Sequence, residues 1–85
     1  HEVQIGTVKT GLTRTEYAIL KLLIQNQAQI VSKSMLLDLI GEDTPDCTES
    51  SLRTHISHLR AKLYEMNGKE YVETVWGIGF RMKKS

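Results

Sequence analysis

The chain has one cysteine, one proline and no long apolar run, and each shortage closes off a class of protein. Cys47 by itself cannot form an internal disulfide, so a core has to hold the fold, and such sparing use of cysteine fits a reducing cytosol. One cysteine and three scattered histidines do not offer the ligand spacing of a structural zinc site, so no metal is expected. Nothing approaches the roughly 18 to 20 consecutive apolar residues of a membrane-spanning helix. No succession of charged, apolar and small residues of an export signal opens the chain. Nucleophile–base pairs, paired carboxylates and phosphate-binding glycine loops are missing too, so neither an enzyme nor a cofactor is expected. There is no repeat and no low-complexity tract. The first residue is His rather than Met, which sets the expectation of a single domain, residues 1–85, excised from a longer chain, with His1 a cloning remnant.

What is present suits one modest core: 85 residues, 40% hydrophobic and 25% charged. The net charge of +1 hides an asymmetry. Residues 1–47 carry four Lys/Arg and six Asp/Glu, a balance of −2, whereas residues 48–85 carry seven and four, a balance of +3. A basic half is a modest electrostatic pointer to nucleic acid, although a solvated surface produces the same imbalance.

Glu2 to Thr10 alternates apolar and polar residues between Gly6 and Gly11, which suggests short strands. Thr13-Arg14-Thr15-Glu16 has the form of a capping box and starts a helix running to about Asn26. Tyr17, Ile19, Leu20, Leu22, Leu23 and Ile24 make that helix apolar on most sides, the pattern of a central, well-buried element. Gln27 to Ile30 reads as a connection, and Ser32 as the N-cap of a second helix that buries Leu36, Leu39 and Ile40 and ends at Gly41. An acidic loop holding Pro45 follows. Asp46 or Thr48 then caps a third helix that Gly68 closes. Tyr71 to Val75 and Phe80 to Lys83 are strand-like, joined through Trp76-Gly77-Ile78-Gly79.

The third helix carries the most information. At about 100° per residue, Leu52, Ile56, Leu59, Leu63 and Met66 share one narrow arc, which has to face the core. The opposite side then presents Arg53, Thr54, Ser57, His58 and Ala61, with Ser50 and Ser51 at the N-terminal end. These are short or forked donors, and the small Ala61 permits close approach. Such a face suits a DNA groove: Arg53 can read guanine through two hydrogen bonds, while Thr54 and Ser57 can contact bases or phosphates. His55, Arg60 and Lys62 lie on the flanks, where phosphate contact is the expected role. A solvated helix face fits the same periodicity, and Arg60 also suits a structural ion pair. In the hairpin, Gly77 and Gly79 are expected to turn the chain with positive φ, leaving Ile78 at an exposed tip. Trp76 reads first as an aromatic covering the sheet and second as a side chain stacked on a sugar–phosphate edge. Gly77 and Arg81 join it as backbone-contact candidates.

Four blocks, LTRTEYAILKLLIQN, IVSKSMLLDLI, SLRTHISHLRAKL and YVETVWGIGFRM, resemble the OmpR/PhoB-type effector domain of two-component response regulators. They occur in the family's order and span Leu12 to Met82. The resemblance implies an α+β, mainly α, winged helix-turn-helix: short N-terminal antiparallel strands, a three-helix core and a C-terminal β-hairpin wing. The third helix (about 48–66) would enter the major groove of double-stranded DNA, and the wing (about 71–83) would lie near the adjacent minor groove or backbone. It also implies a phosphoacceptor receiver domain and a sensor histidine kinase acting on it. Direct-repeat half-sites bound as a dimer, a monomeric isolated domain and a bacterial cytoplasmic location belong to the same expectation. The loop Glu42-Asp43-Thr44-Pro45-Asp46 resembles the segment with which family members touch RNA polymerase. Two positions depart from the family pattern. Trp76 stands where the wing often has Arg, and Ser57 and His58 stand where the recognition face often has Arg. Weak binding by the isolated monomer and a shallow salt dependence are therefore expected. A winged helix that docks a protein instead of a duplex is the alternative, and a similar domain also occurs in some membrane-anchored activators.

Overall fold

The structure, a computed structural model, describes residues 1–41 and 47–83. Along them run β1 (Glu2–Ile5), β2 (Val8–Gly11), α1 (Arg14–Gln25), β3 (Val31–Ser32), α2 (Lys33–Ile40), α3 (Glu49–Asn67), β4 (Val72–Val75) and β5 (Gly79–Met82). This is a winged helix-turn-helix, with three helices between a short N-terminal hairpin and a C-terminal one.

Each element starts and stops where its local chemistry dictates. β1 and β2 pair antiparallel with Ile5 opposite Val8, so Gly6 and Thr7 form the whole loop, and Gly6 adopts φ 61°. The Thr13 hydroxyl accepts from the Glu16 amide at 3.1 Å and the Glu16 carboxylate accepts from the Thr13 amide at 2.9 Å, which completes the capping box of α1. Ser32 caps α2 by accepting from the Met35 amide, as its place in the sequence suggests. Gly68 ends α3 in the left-handed region, its amide bonded to the Tyr64 carbonyl.

The core lies where the three helices meet the C-terminal sheet. Ile19, Leu20 and Leu23 of α1, Leu36 and Ile40 of α2, and Leu52, Ile56, Leu59 and Leu63 of α3 are buried together with Val31, Val72, Phe80 and Met82. α3 buries the five residues its periodicity assigned to the core, Met66 included.

Three expectations are corrected here. α1 is amphipathic, with Tyr17 and Ile24 exposed, because α2, α3 and β5 all pack along one side of it. Leu39 is 58% exposed: it lies about 100° around the helix from Ile40, and an eight-residue helix buries only its Leu36–Ile40 edge. Between the Gln27–Ile30 connection and α2 lies a strand that the sequence reading lacks, β3, whose two residues pair with β5 to give a three-stranded sheet in the order β3-β5-β4.

The wing also differs in detail. Val75 pairs with Gly79, leaving Trp76, Gly77 and Ile78 as the loop, and only Gly77 has a positive φ, of 77°. Gly79 serves another end. It sits in β5 opposite Ser32, and a Cβ there would run into the Val31 carbonyl oxygen and the Ser32 Cα. The absent side chain is what lets β3 approach.

Candidate nucleic-acid interface

The polar side of α3 begins with its cap. The Thr48 hydroxyl accepts from the Ser51 amide and the Ser51 hydroxyl accepts from the Thr48 amide at 2.9 Å, so both residues are held by the helix start itself. With Leu52, Ile56, Leu59 and Leu63 turned inward, Ser50, Arg53, Thr54, Ser57, His58 and Ala61 are all exposed on the outer side. Among the described residues, Arg53, Thr54, Ser57 and His58 make no side-chain hydrogen bond or ion pair, so their polar atoms are available to a ligand. His55 is half-buried at the edge of the apolar arc.

A groove of about 600 Å³ opens at the N-terminal end of this face. It is lined by Lys33 of α2, Thr48, Glu49, Ser50 and Arg53 of α3, and Phe80 of the wing. The N-termini of α2 and α3 therefore approach one another here, and helix N-termini favour anions. Glu49 opposes that locally, so the carboxylate-free stretch starts only at Ser50. Lys33 is a functional candidate absent from the sequence-based set. Its signal was positional: the first residue after a Ser N-cap, on the helix preceding the recognition helix.

The flanking cations divide differently from the expectation. Arg60 donates to the Thr74 hydroxyl at 3.2 Å and so ties α3 to the root of the wing. Lys62 donates to Glu16 at 2.6 Å, and Arg81 is paired with Glu73 directly across the β4–β5 ladder. Lys62 and Arg81 are thereby bound within the fold, and Ser51 is committed to the cap. The aromatic reading of Trp76 as a cover for the sheet is overturned. Trp76 is 81% exposed in the three-residue wing loop, with Gly77 and Ile78 exposed beside it, because the loop projects past the last paired residues. Glu42, Asp43, Thr44, Pro45 and Asp46 lie outside the described residues.

Glu16 is the one buried charged residue described, at 2% exposure. Burial pushes its carboxyl up, but hydrogen bonds from Lys62 and Thr13, with the Lys62 charge, outweigh that and hold it below the ordinary range. One oxygen, Oε1, accepts from both the Thr13 amide and Lys62 Nζ, so the α1 cap and the anchor of α3 are a single structure. Cys47 is buried ahead of the helix, and burial raises its thiol while a hydrogen bond with Ser51 opposes the rise.

The model of one family, "Transcriptional regulatory protein, C terminal", matches residues 7–82. The chain belongs to this family. As an OmpR/PhoB-type effector domain it is 31% identical over 86 residues to the regulatory protein VanR of Enterococcus faecium, a match that covers 99% of this chain and 37% of VanR. It is 38% identical over 74 residues to VanRB of Enterococcus faecalis, covering 87% of this chain and 32% of that protein. The chain thus spans about a third of the length of these curated relatives. Among solved structures, the AdeR DNA-binding domain in complex with an intercistronic region is similar with a TM-score of 0.85, 28% identity and coverage of 100% of this chain and 87% of that one. The C-terminal domain of the nisin resistance regulator NsrR gives 0.87 and 26%, covering 99% and 86%. In this effector domain no described helix is long and apolar enough to cross a membrane.

Proposed function

We propose that this effector domain binds double-stranded DNA in a sequence-specific manner and controls transcription, with α3 in the major groove. The observation that carries the reading is the exposed face of Arg53, Thr54, Ser57 and His58, whose donors lack internal partners while Leu52, Ile56, Leu59, Leu63 and Met66 of the same helix are locked into the core. Arg53 and Ser57 read base edges; Thr54, Ser50 and His58 contact bases or phosphates, and Ala61 lets the helix sit deep. Lys33 and the N-termini of α2 and α3 hold phosphates at one end of the face. His55, Arg60, Trp76 and Gly77 border the same surface. The similar AdeR domain, solved with an intercistronic DNA region, supports the assignment.

The further parts of the reading follow the family. The domain occupies direct-repeat half-sites as a dimer, is monomeric when isolated, and acts in the bacterial cytoplasm. A phosphoacceptor receiver, addressed by a sensor kinase, governs it, and residues 42–46 meet RNA polymerase. The test is selection of bound duplexes from a random pool, repeated with Arg53→Ala and Ser57→Ala. Base readout relaxes the preference at particular positions. A pool that emerges unenriched with the unaltered protein overturns the reading.

A further inference from the structure

A second groove, of about 380 Å³, lies between α1 and α2 and shares no residue with the one beside Lys33 and Arg53. Arg14, Tyr17, Ala18 and Lys21 of α1 line it with Leu39 and Ile40 of α2. At about 100° per residue, Arg14, Tyr17, Lys21 and Gln25 stand on the side of α1 away from Ile19, Leu20 and Leu23, which face the core. Since α3 packs from that core side, the groove stays accessible when the outer face of α3 is occupied.

Two kinds of surface meet in this groove. Leu39 and Tyr17 are exposed and continue into the partly covered Ala18 and Leu22, which makes one apolar floor instead of scattered single side chains. The fold does not need Leu39 there, because α2 closes on the core through Leu36 and Ile40. Beside the floor stand Arg14 and Lys21, seven residues and so two turns apart on one stripe, and neither makes an ion pair among the described residues. No carboxylate is among the described residues of the lining. His1 stacks on Tyr17 with ring centroids 4.6 Å apart and brings no negative charge either. From Arg14 to Gln25 the stripe runs about 16 Å, the length of three helical turns.

From this we infer that the α1–α2 groove docks an acidic amphipathic helix of a protein partner. Leucine-like side chains of that helix, at i, i+4 and i+7, pack on Tyr17 and Leu39, and its Asp/Glu side chains meet Arg14 and Lys21. Charge complementarity selects this occupant: a basic helix is repelled, and an uncharged one leaves both cations unmatched. The inference goes beyond the DNA-binding reading and does not depend on it. Because the two surfaces are separate, the partner and a duplex can be held at once.

The experiment titrates the isotope-labelled protein with a capped synthetic helix of about four turns, carrying Leu at i, i+4 and i+7 and Glu at the flanking positions, and follows the backbone amide signals. The expected result is saturable shifts confined to the outer side of α1 and the end of α2, weakened by added salt. Leu39→Ala should lower the affinity by about tenfold, the scale of one leucine side chain left uncovered, with the thermal midpoint unchanged because Leu39 is exposed in the free protein. Lys21→Glu should lower it by at least as much, and the same peptide with Lys in place of Glu should not bind. Equal binding of the two peptides overturns the inference, since the groove would then select apolar surface without regard to charge. Absence of shifts at these residues with peptide in large excess overturns it as well. Shifts at the same residues that grow with protein concentration in the absence of peptide overturn it in favour of a second copy as the occupant. Competition between the peptide and duplex DNA would put the peptide on α3 and overturn it too.

Discussion

Arg53 and Lys33 line the same groove, yet their removal is expected to have different consequences. Arg53 projects from the outer face of α3, where a guanidinium can meet a guanine edge. Arg53→Ala should cost about 1–3 kcal/mol of discrimination at one base pair and relax preference there, measured by competition between single-substitution duplexes. Lys33 sits at the first turn of α2, suited to phosphate. Lys33→Ala should weaken all duplexes alike and lower the salt slope by roughly 0.9, measured by binding isotherms at several salt concentrations. At this scale legibility depended on partners. The exposure of Arg53, Thr54 and Ser57 follows from helical period alone, because the angle decides it on an amphipathic helix. The pairing of Lys62 and Arg81 within the fold was not legible, because Glu16 lies 46 residues before Lys62 and the Glu73–Arg81 pairing needs the hairpin's register. Trp76 misled for a related reason, since large aromatics are usually covered and only the three-residue loop length exposes it.

The attachment of α3 to α1 is a property of elements. Lys62→Ala leaves the Glu16 carboxylate buried with one donor fewer, and the loss is about 2 kcal/mol, the scale of a hydrogen bond to a charged group. Chemical denaturation of the variant checks it. Because the folded Glu16 carboxyl titrates below its unfolded value, folding favours its ionised form. The stabilisation is therefore complete above the ordinary carboxylate range and disappears as pH falls through the lowered folded value. Glu16→Gln should be less stable than the parent at neutral pH, with the difference shrinking in acid; a gap independent of pH would refute the linkage. The wing depends on a different contact. Gly79→Ala forces β3 and β5 apart and should cost about 1–3 kcal/mol, the range for overpacking, read from thermal unfolding. The capping box of α1, the Ser32 cap and the Gly68 stop were visible in sequence because each is a short-range pattern. β3 was not: two residues show no alternation, and the preceding turn places Ala28 at φ 71°, where Gly or Asn would have signalled it.

For the molecule as a whole, free positive charge on the proposed face is sparse. Lys33 and Arg53 are its unpaired Lys/Arg side chains among the described residues, and Arg60 is shared with Thr74. A salt slope of about −2 to −3 is expected for the isolated domain, at roughly 0.9 per neutralised phosphate, with cooperative occupancy of two-site duplexes supplying the missing affinity. Titration of one-site and two-site duplexes over a range of salt measures both quantities, and a slope steeper than about −5 would mean that further cations reach the backbone. The amino-acid sequence by itself determined the helices, their caps, the five-residue buried arc of α3 and the family, because all of these repeat over short distances along the chain. Tertiary structure alone decided which cations are neutralised, which of the apolar residues on α1 and α2 stay exposed, and that the wing loop ends in an uncovered Trp76. Those outcomes depend on which elements touch, and pairings such as Lys62 with Glu16 or Gly79 with Ser32 leave no periodic trace in the sequence.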